Sequence, residues 1–156
     1  MTATGRGNIA KHVCNLVLAL NEKEKNEVLN VLQGEGIPIS AFRANLSGLE
    51  IIVRYLKETK KKPFKEISGI LNRKPSTIYG TYYKSRKKFK GSLDISDISI
   101  KIPYDIFSDR KYSVLELIVA YLEGEKGISK TQISLLLHKS INTIKTVHRR
   151  FKVKNE

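Results

Sequence analysis

Two stretches of the chain carry side chains suited to reading and neutralising a polyanion. In the first, Ser76, Tyr79, Gly80, Tyr83, Lys84 and Lys87 recur at helical spacing; in the second, Asn142, Lys145, Thr146, Arg149 and Lys152 do. That spacing places each set on the outer face of one helix. Asn and Lys hydrogen-bond base edges, and Tyr, Ser and Thr reach bases or phosphates. The flanking Arg73, Lys74, Lys88, Lys139 and Arg150 add phosphate-neutralising charge. Catalytic residues form no comparable set. His12, His138, His148 and the single Cys14 follow no familiar zinc spacing, and Asp94 and Asp97 read as solvation of a linker. A tyrosine nucleophile would need organised Arg and His partners, and none is visible. The expectation is therefore a binding protein with no catalytic residues, metal or cofactor.

Charge is concentrated where those residues lie. Of 156 residues, 29 are Lys or Arg and 15 are Asp or Glu, a net charge of +14. Residues 57–90 hold 12 basic and 2 acidic side chains, net +10; residues 126–154 hold 8 basic and none acidic, net +8. The segment between them, 91–125, carries 3 basic and 7 acidic side chains, net −4, and residues 1–56 are close to neutral at +1. Clustered charge of this kind creates a directed field. The longest charge-free run, His12 to Asn21, has 10 residues and is too short to span a bilayer. No lipidation signal accompanies the basic segments, so a membrane partner is not expected.

The two basic segments belong to one repeat. Residues 47–86 align without a gap on residues 113–152 at an offset of 66, with 13 identities in 40 pairs. Upstream, Ile37, Pro38 and Phe42 meet Ile102, Pro103 and Phe107 at an offset of 65. Each unit reads as three helices. Ser47 with Glu50 forms a capping box before Leu49, Ile52, Val53 and Leu56, predicting a helix to about Thr59. Pro63 suits the first turn of a short helix with Ile67, Ile70 and Leu71 inward. A break at Asn72–Lys74 precedes a third helix over about Ser76 to Lys88, with Ile78, Thr81, Tyr82, Ser85 and Phe89 inward. The second unit repeats the plan, with Ser129 and Gln132 as a further capping box and Ile144, Val147 and Phe151 facing inward. Tyr55 and Tyr121, at equivalent positions, are expected in the core. A short helix, a tight turn and a longer basic helix make up a helix-turn-helix, whose last helix enters the DNA major groove.

The run Glu66-Ile67-Ser68-Gly69-Ile70-Leu71-Asn72-Arg73-Lys74-Pro75-Ser76-Thr77-Ile78, with Lys84-Ser85-Arg86-Lys87-Lys88-Phe89, resembles the helix-turn-helix of bacterial sigma factor region four and its response-regulator relatives. Gln132-Ile133-Ser134 to Leu137 and Thr143-Ile144 repeat the pattern less closely. The resemblance covers about 25 residues in each unit and implies that Pro75, Ser76, Tyr79 and Gly80, then Ile141, Asn142, Lys145 and Thr146, face bases. Two copies depart from the single copy usual in that family, and nothing else in the chain resembles a promoter-melting region. Gly80 departs too, since glycine inside a helix costs about 1 kcal/mol relative to alanine.

Residues 1–7 are small and expected to be loose. Ile9, Val13, Leu16, Val17 and Leu20 make one amphipathic stripe, and Asn21 with Glu24 starts a second helix carrying Val28, Leu29, Val31 and Leu32, ended by Gly34-Glu35-Gly36. Such a hairpin packs on the first repeat or, through residues 8–33, on a second subunit as a homodimer. The fold expected is all-α, with a helical hairpin at 1–36, helix-turn-helix units at 37–90 and 102–156, and a linker at 91–101, extended and packed on something through alternating Leu93, Ile95, Ile98 and Ile100. The function expected is double-stranded DNA binding, as a transcriptional regulator or DNA-organising factor in the cytoplasm at the nucleoid. The linker lets two recognition helices reach major-groove faces about 34 Å apart. An adaptor for an acidic protein partner such as the transcription machinery is the alternative. RNA binding lacks an aromatic sheet platform or glycine-rich clamp.

Overall fold

The structure, a computed structural model, describes residues 3–156, with side chains described from Gly5 onward. It is all-α. Eight α-helices are found among the described residues, together with one two-residue antiparallel strand pair. Two compact units divide the chain, one reaching Gly34 and the other spanning Glu35–Glu156.

The first unit holds α1 (Ala3–Leu18) and α2 (Glu22–Gln33). Met1 and Thr2 lie outside the described residues, but the loose start expected over 1–7 is corrected from Ala3 onward, where the chain is helical. Once the apolar stripe from Ile9 has nucleated the helix, each residue added upstream gains a hydrogen bond with little further ordering. Asn21 caps α2 through the expected box, its side chain accepting from the Glu24 N–H at 2.9 Å while Glu24 accepts from the Asn21 N–H at 2.9 Å. Ile9, Val13, Leu16, Val31 and Leu32 are exposed.

The second unit contains both repeats. The first has β1 (Ile37–Pro38), a 3₁₀ turn (Ile39–Arg43), α3 (Gly48–Arg54), α4 (Phe64–Leu71) and α5 (Pro75–Lys88). The second has β2 (Lys101–Ile102), a 3₁₀ turn (Tyr104–Ser108), α6 (Val114–Gly124), α7 (Lys130–Leu137) and α8 (Ile141–Asn155). Capping boxes open α3 at Ser47/Glu50, α6 at Ser113/Glu116 and α7 at Ser129/Gln132. The first helix of the first repeat does not stay α-helical to Thr59. It widens into a π-turn over Tyr55–Thr59, because the Lys60 N–H reaches five residues back to the Tyr55 carbonyl at 3.2 Å. Lys61 then turns the chain at φ 56°, and its repeat-mate Gly127 does so at φ 63°.

One hydrophobic core runs through both repeats, from Ile37, Ile52, Leu56, Ile67 and Ile78 to Ile102, Ile118, Leu122, Ile133 and Ile144. The way the repeats meet is informative. Ile37 pairs with Ile102 in the antiparallel ladder, the Phe42 and Phe107 rings lie 6.4 Å apart, and Gly48 lies against Val114. Each of these residues touches its own equivalent in the other repeat. The remaining contacts are reciprocal. Helix α4 packs on the 3₁₀ turn of the second repeat, and α7 packs on the 3₁₀ turn of the first. At the ends of those helices Asn72 donates to the Ser108 carbonyl, and Arg43 donates to the Leu136 carbonyl at 2.9 Å. Self-contacts flanked by exchanged contacts are the signature of an approximate twofold axis.

Residues 91–101 are strapped to this core. Leu93 and Ile100 pack against it, the Asp97 N–H donates to Ser40 Oγ at 3.1 Å, and Arg43 pairs with the Asp97 carboxylate at 3.0 Å. No described helix is long and apolar enough to cross a membrane.

Candidate nucleic-acid interface

Helices α5 and α8 are each set by a turn that is the same in both repeats. Helix α4 ends on Asn72 at φ 50° and α7 on His138 at φ 52°, both in the left-handed region. The Arg73 N–H returns to the Ser68 carbonyl and the Lys139 N–H to the Ser134 carbonyl, each at 3.1 Å. This closes the last turn of the preceding helix. The hydroxyls of Ser68 and Ser134 add a second tie by donating to the carbonyls of Arg73 and Lys139. Ser68 and Ser134 are identical in the repeat, and the reason is this latch.

Helix α5 buries Ile78 and Ser85; α8 buries Ile144 and Val147. Their opposite faces carry the residues expected to contact nucleic acid. Lys74, Pro75, Ser76, Tyr79, Tyr83, Lys84, Lys87 and Lys88 are exposed, with Arg73 and Gly80 half-buried. Asn142, Lys145, Arg149, Arg150 and Lys152 are exposed, with Lys139, Ile141 and Thr146 half-buried. Open space surrounds the position where Gly80 would carry a side chain.

The structure gives Lys88 a second task. Its ammonium pairs with Glu50 Oε1 at 2.7 Å, and its repeat-mate Lys154 pairs with Glu116 at 2.8 Å. Both carboxylates are buried, which pushes their pKa up. Hydrogen bonds from Lys88 or Lys154 and from the N–H of Ser47 or Ser113 outweigh that and hold both below the ordinary carboxylate range. Each pair ties the C-terminal end of a repeat's last helix to the N-terminal cap of its first. A second tie runs lower on the same helices. Tyr82 donates to Glu58, which also pairs with Arg54 and Arg86, and His148 contacts Glu123, which also holds Lys130. Asp97, Glu116 and Glu123 of the acidic middle segment are thus all engaged in internal ion pairs.

The two surfaces differ in chemistry. On α5, the Tyr79 and Tyr83 rings are tilted at 50° with their centres 4.5 Å apart, and the two residues are 53 % and 46 % exposed. They join Phe64 and Tyr82 in a four-ring cluster, with the Lys57 ammonium 4.4 Å from the Phe64 ring centre. Exposed rings beside cations offer stacking as well as hydrogen bonding. On α8 the corresponding positions are Lys145 and Arg149, and that surface carries no aromatic ring.

Reading by segment missed Arg110. It belongs to the second repeat, within the net-negative segment, yet it lines an open groove with Ser68, Gly69, Asn72, Arg73 and Lys74 at the first repeat's turn. Only the approximate twofold packing brings it there. Phe64 and Lys57 were also missed; their place within the +10 segment is the one signal that pointed to them. Tyr55 is buried as expected and donates to the Gly36 carbonyl, whereas Tyr121 is only half-buried, with the Lys126 ammonium over its ring. The chain matches no protein-family model, no curated protein and no solved structure.

Proposed function

We propose that the protein binds double-stranded DNA through α5 and α8 and acts as a transcriptional regulator or DNA-organising factor at the nucleoid. The observation that carries this reading is the coincidence of frame and charge. The same latch and the same ion pair present two helices whose inner faces are core and whose outer faces are basic. Withdrawal of acidic side chains into internal pairs leaves those faces positive, the electrostatic footprint of a nucleic-acid binder. The resemblance to sigma region four supports the same assignment.

Salt titration on duplex DNA tests the reading. Binding should weaken steeply with salt, because each phosphate neutralised releases a counterion. Asn142→Ala with Lys145→Ala should flatten preference among sequences, while Lys87→Ala or Arg110→Ala should weaken all sequences alike and lower the salt slope by about 1 each. Weak retention on DNA at every salt concentration would instead favour an acidic protein partner.

A further inference from the structure

The repeat is tandem in sequence but not in space. Ile37 meets Ile102, Phe42 meets Phe107 and Gly48 meets Val114, each residue against its own equivalent. A translation along the chain's path cannot produce such contacts, since it sets each residue against a different one. A twofold rotation does, and it also produces the exchanged packing of α4 and α7 on opposite 3₁₀ turns. The relation is rigid, because a single core and an antiparallel ladder join the repeats.

From this we infer that one chain reads one inverted pair of non-identical DNA half-sites at a fixed spacing. The inference rests on the DNA-binding reading above and adds the class of site. A twofold axis that crosses the duplex at a right angle reverses, along the duplex, the direction in which the second helix meets its groove. The half-sites that α5 and α8 read must therefore run in opposite directions along the duplex, as they do for a two-subunit helix-turn-helix protein. A flexible tandem pair would accept direct repeats and variable spacing; the shared core removes that freedom. The half-sites differ in sequence because the base-facing residues differ, with Ser76 opposite Asn142, Tyr79 opposite Lys145 and Gly80 opposite Thr146 across the repeats. The second half-site is supplied by the same chain, so no second copy is required to complete the site.

The test uses the full-length chain. Fragments are selected from random duplex DNA, and the two selected half-sites are then rebuilt in inverted order, in direct order, and in inverted order with five base pairs inserted. Native mass spectrometry counts chains per duplex. The expected result is one chain per inverted pair. Affinity should be at least about tenfold higher than for the direct arrangement, and the insertion should return it to that of a single half-site, because linked binding is lost when geometry forbids it. Combining Asn142→Ser, Lys145→Tyr and Thr146→Gly should make the second selected half-site converge on the inverse of the first. Equal affinity for direct and inverted arrangements, or two chains on each inverted pair, would overturn the inference while leaving DNA binding intact. Failure to enrich any duplex, together with salt-independent retention on random DNA, would overturn the DNA reading and the inference with it.

Discussion

The two repeats share a frame and differ in how they hold it. Both start their first helix with a Ser–Glu box, tie that Glu to a Lys 38 residues on, and latch the turn with a Ser hydroxyl. In the first repeat, however, the fully buried Arg54 donates to the carbonyls of Phe89 and Gly91 at 2.6 and 2.7 Å and reaches Glu58 at 3.2 Å. In the second, Ala120 occupies that position and α8 simply continues to Asn155. The first repeat starts its later helices with prolines, Pro63 before α4 and Pro75 at the head of α5; the second uses the side-chain caps Ser129 and Ser140. What is equivalent is the relation of the last helix to the first. The means of stopping and starting the helices are interchangeable, because each supplies the same few unsatisfied end groups with partners.

Arg54 is where that difference has most at stake. Arg54→Ala should destabilise the protein by about 3 kcal/mol in denaturant unfolding, since two carbonyls lose a charged donor and a buried volume is emptied. Ala120→Gly, at the matching position, should cost no more than about 1 kcal/mol, the helix-propensity difference. Equal losses would remove the asymmetry.

The twofold contact comes next. A Cβ at Gly48 would lie 2.5 Å from Val114 Cγ1. Gly48→Ala should therefore cost about 1–3 kcal/mol by overpacking. Adding Val114→Ala should restore part of it, because residues in contact couple. Additive losses in that double variant would mean that the two positions do not press on one another.

The Glu–Lys ties should behave alike in the two repeats. Each lowered carboxyl contributes stability that is complete above its ordinary value of 4.5 and is lost as pH falls through the lowered one. Glu50→Gln and Glu116→Gln should each cost at most about 1 kcal/mol at neutral pH, because the lysines stay largely in solvent. Both variants should also flatten the fall in stability on acidification below about pH 4.5, read by urea unfolding across pH.

The smallest effect belongs to the turns at Lys61 and Gly127. Lys61 stands at φ 56° with a side chain, where its repeat-mate is glycine. Lys61→Gly should raise the melting temperature slightly, gaining less than about 1 kcal/mol from relieved left-handed strain after the entropy glycine adds to the unfolded chain.

The capping boxes at Ser47 and Ser129 and the helix start at Asn21 were legible in the sequence because both partners lie three residues apart on one turn of backbone, and the box at Ser113 follows from its identity with Ser47 in the repeat. The outer faces of α5 and α8 were legible from spacing alone. The role of Lys88 was not: in sequence it is one lysine in a basic run, and its partner Glu50 comes near only when α5 folds back on α3. Identity of Lys88 with Lys154 and of Glu50 with Glu116 at the same offset was the available signal. Tyr121 shows the opposite failure. Equivalence to Tyr55 implied burial, but the two repeats surround that position differently.

By itself, the sequence determined the helices, their caps and the repeat, because each depends on residues within a turn or two of one another or on direct comparison along the chain. It also located the two basic faces, since charge and periodicity are properties of composition and order. Tertiary structure alone decided that the repeats share a core across an approximate twofold axis, that Arg110 joins the other repeat's turn, and that Asp97 of the intervening segment pairs with Arg43 instead of solvating a linker. Those outcomes depend on which apolar faces find one another at a distance, and burying Ile37, Phe42 and Phe107 together removes more surface from water than either repeat could bury alone.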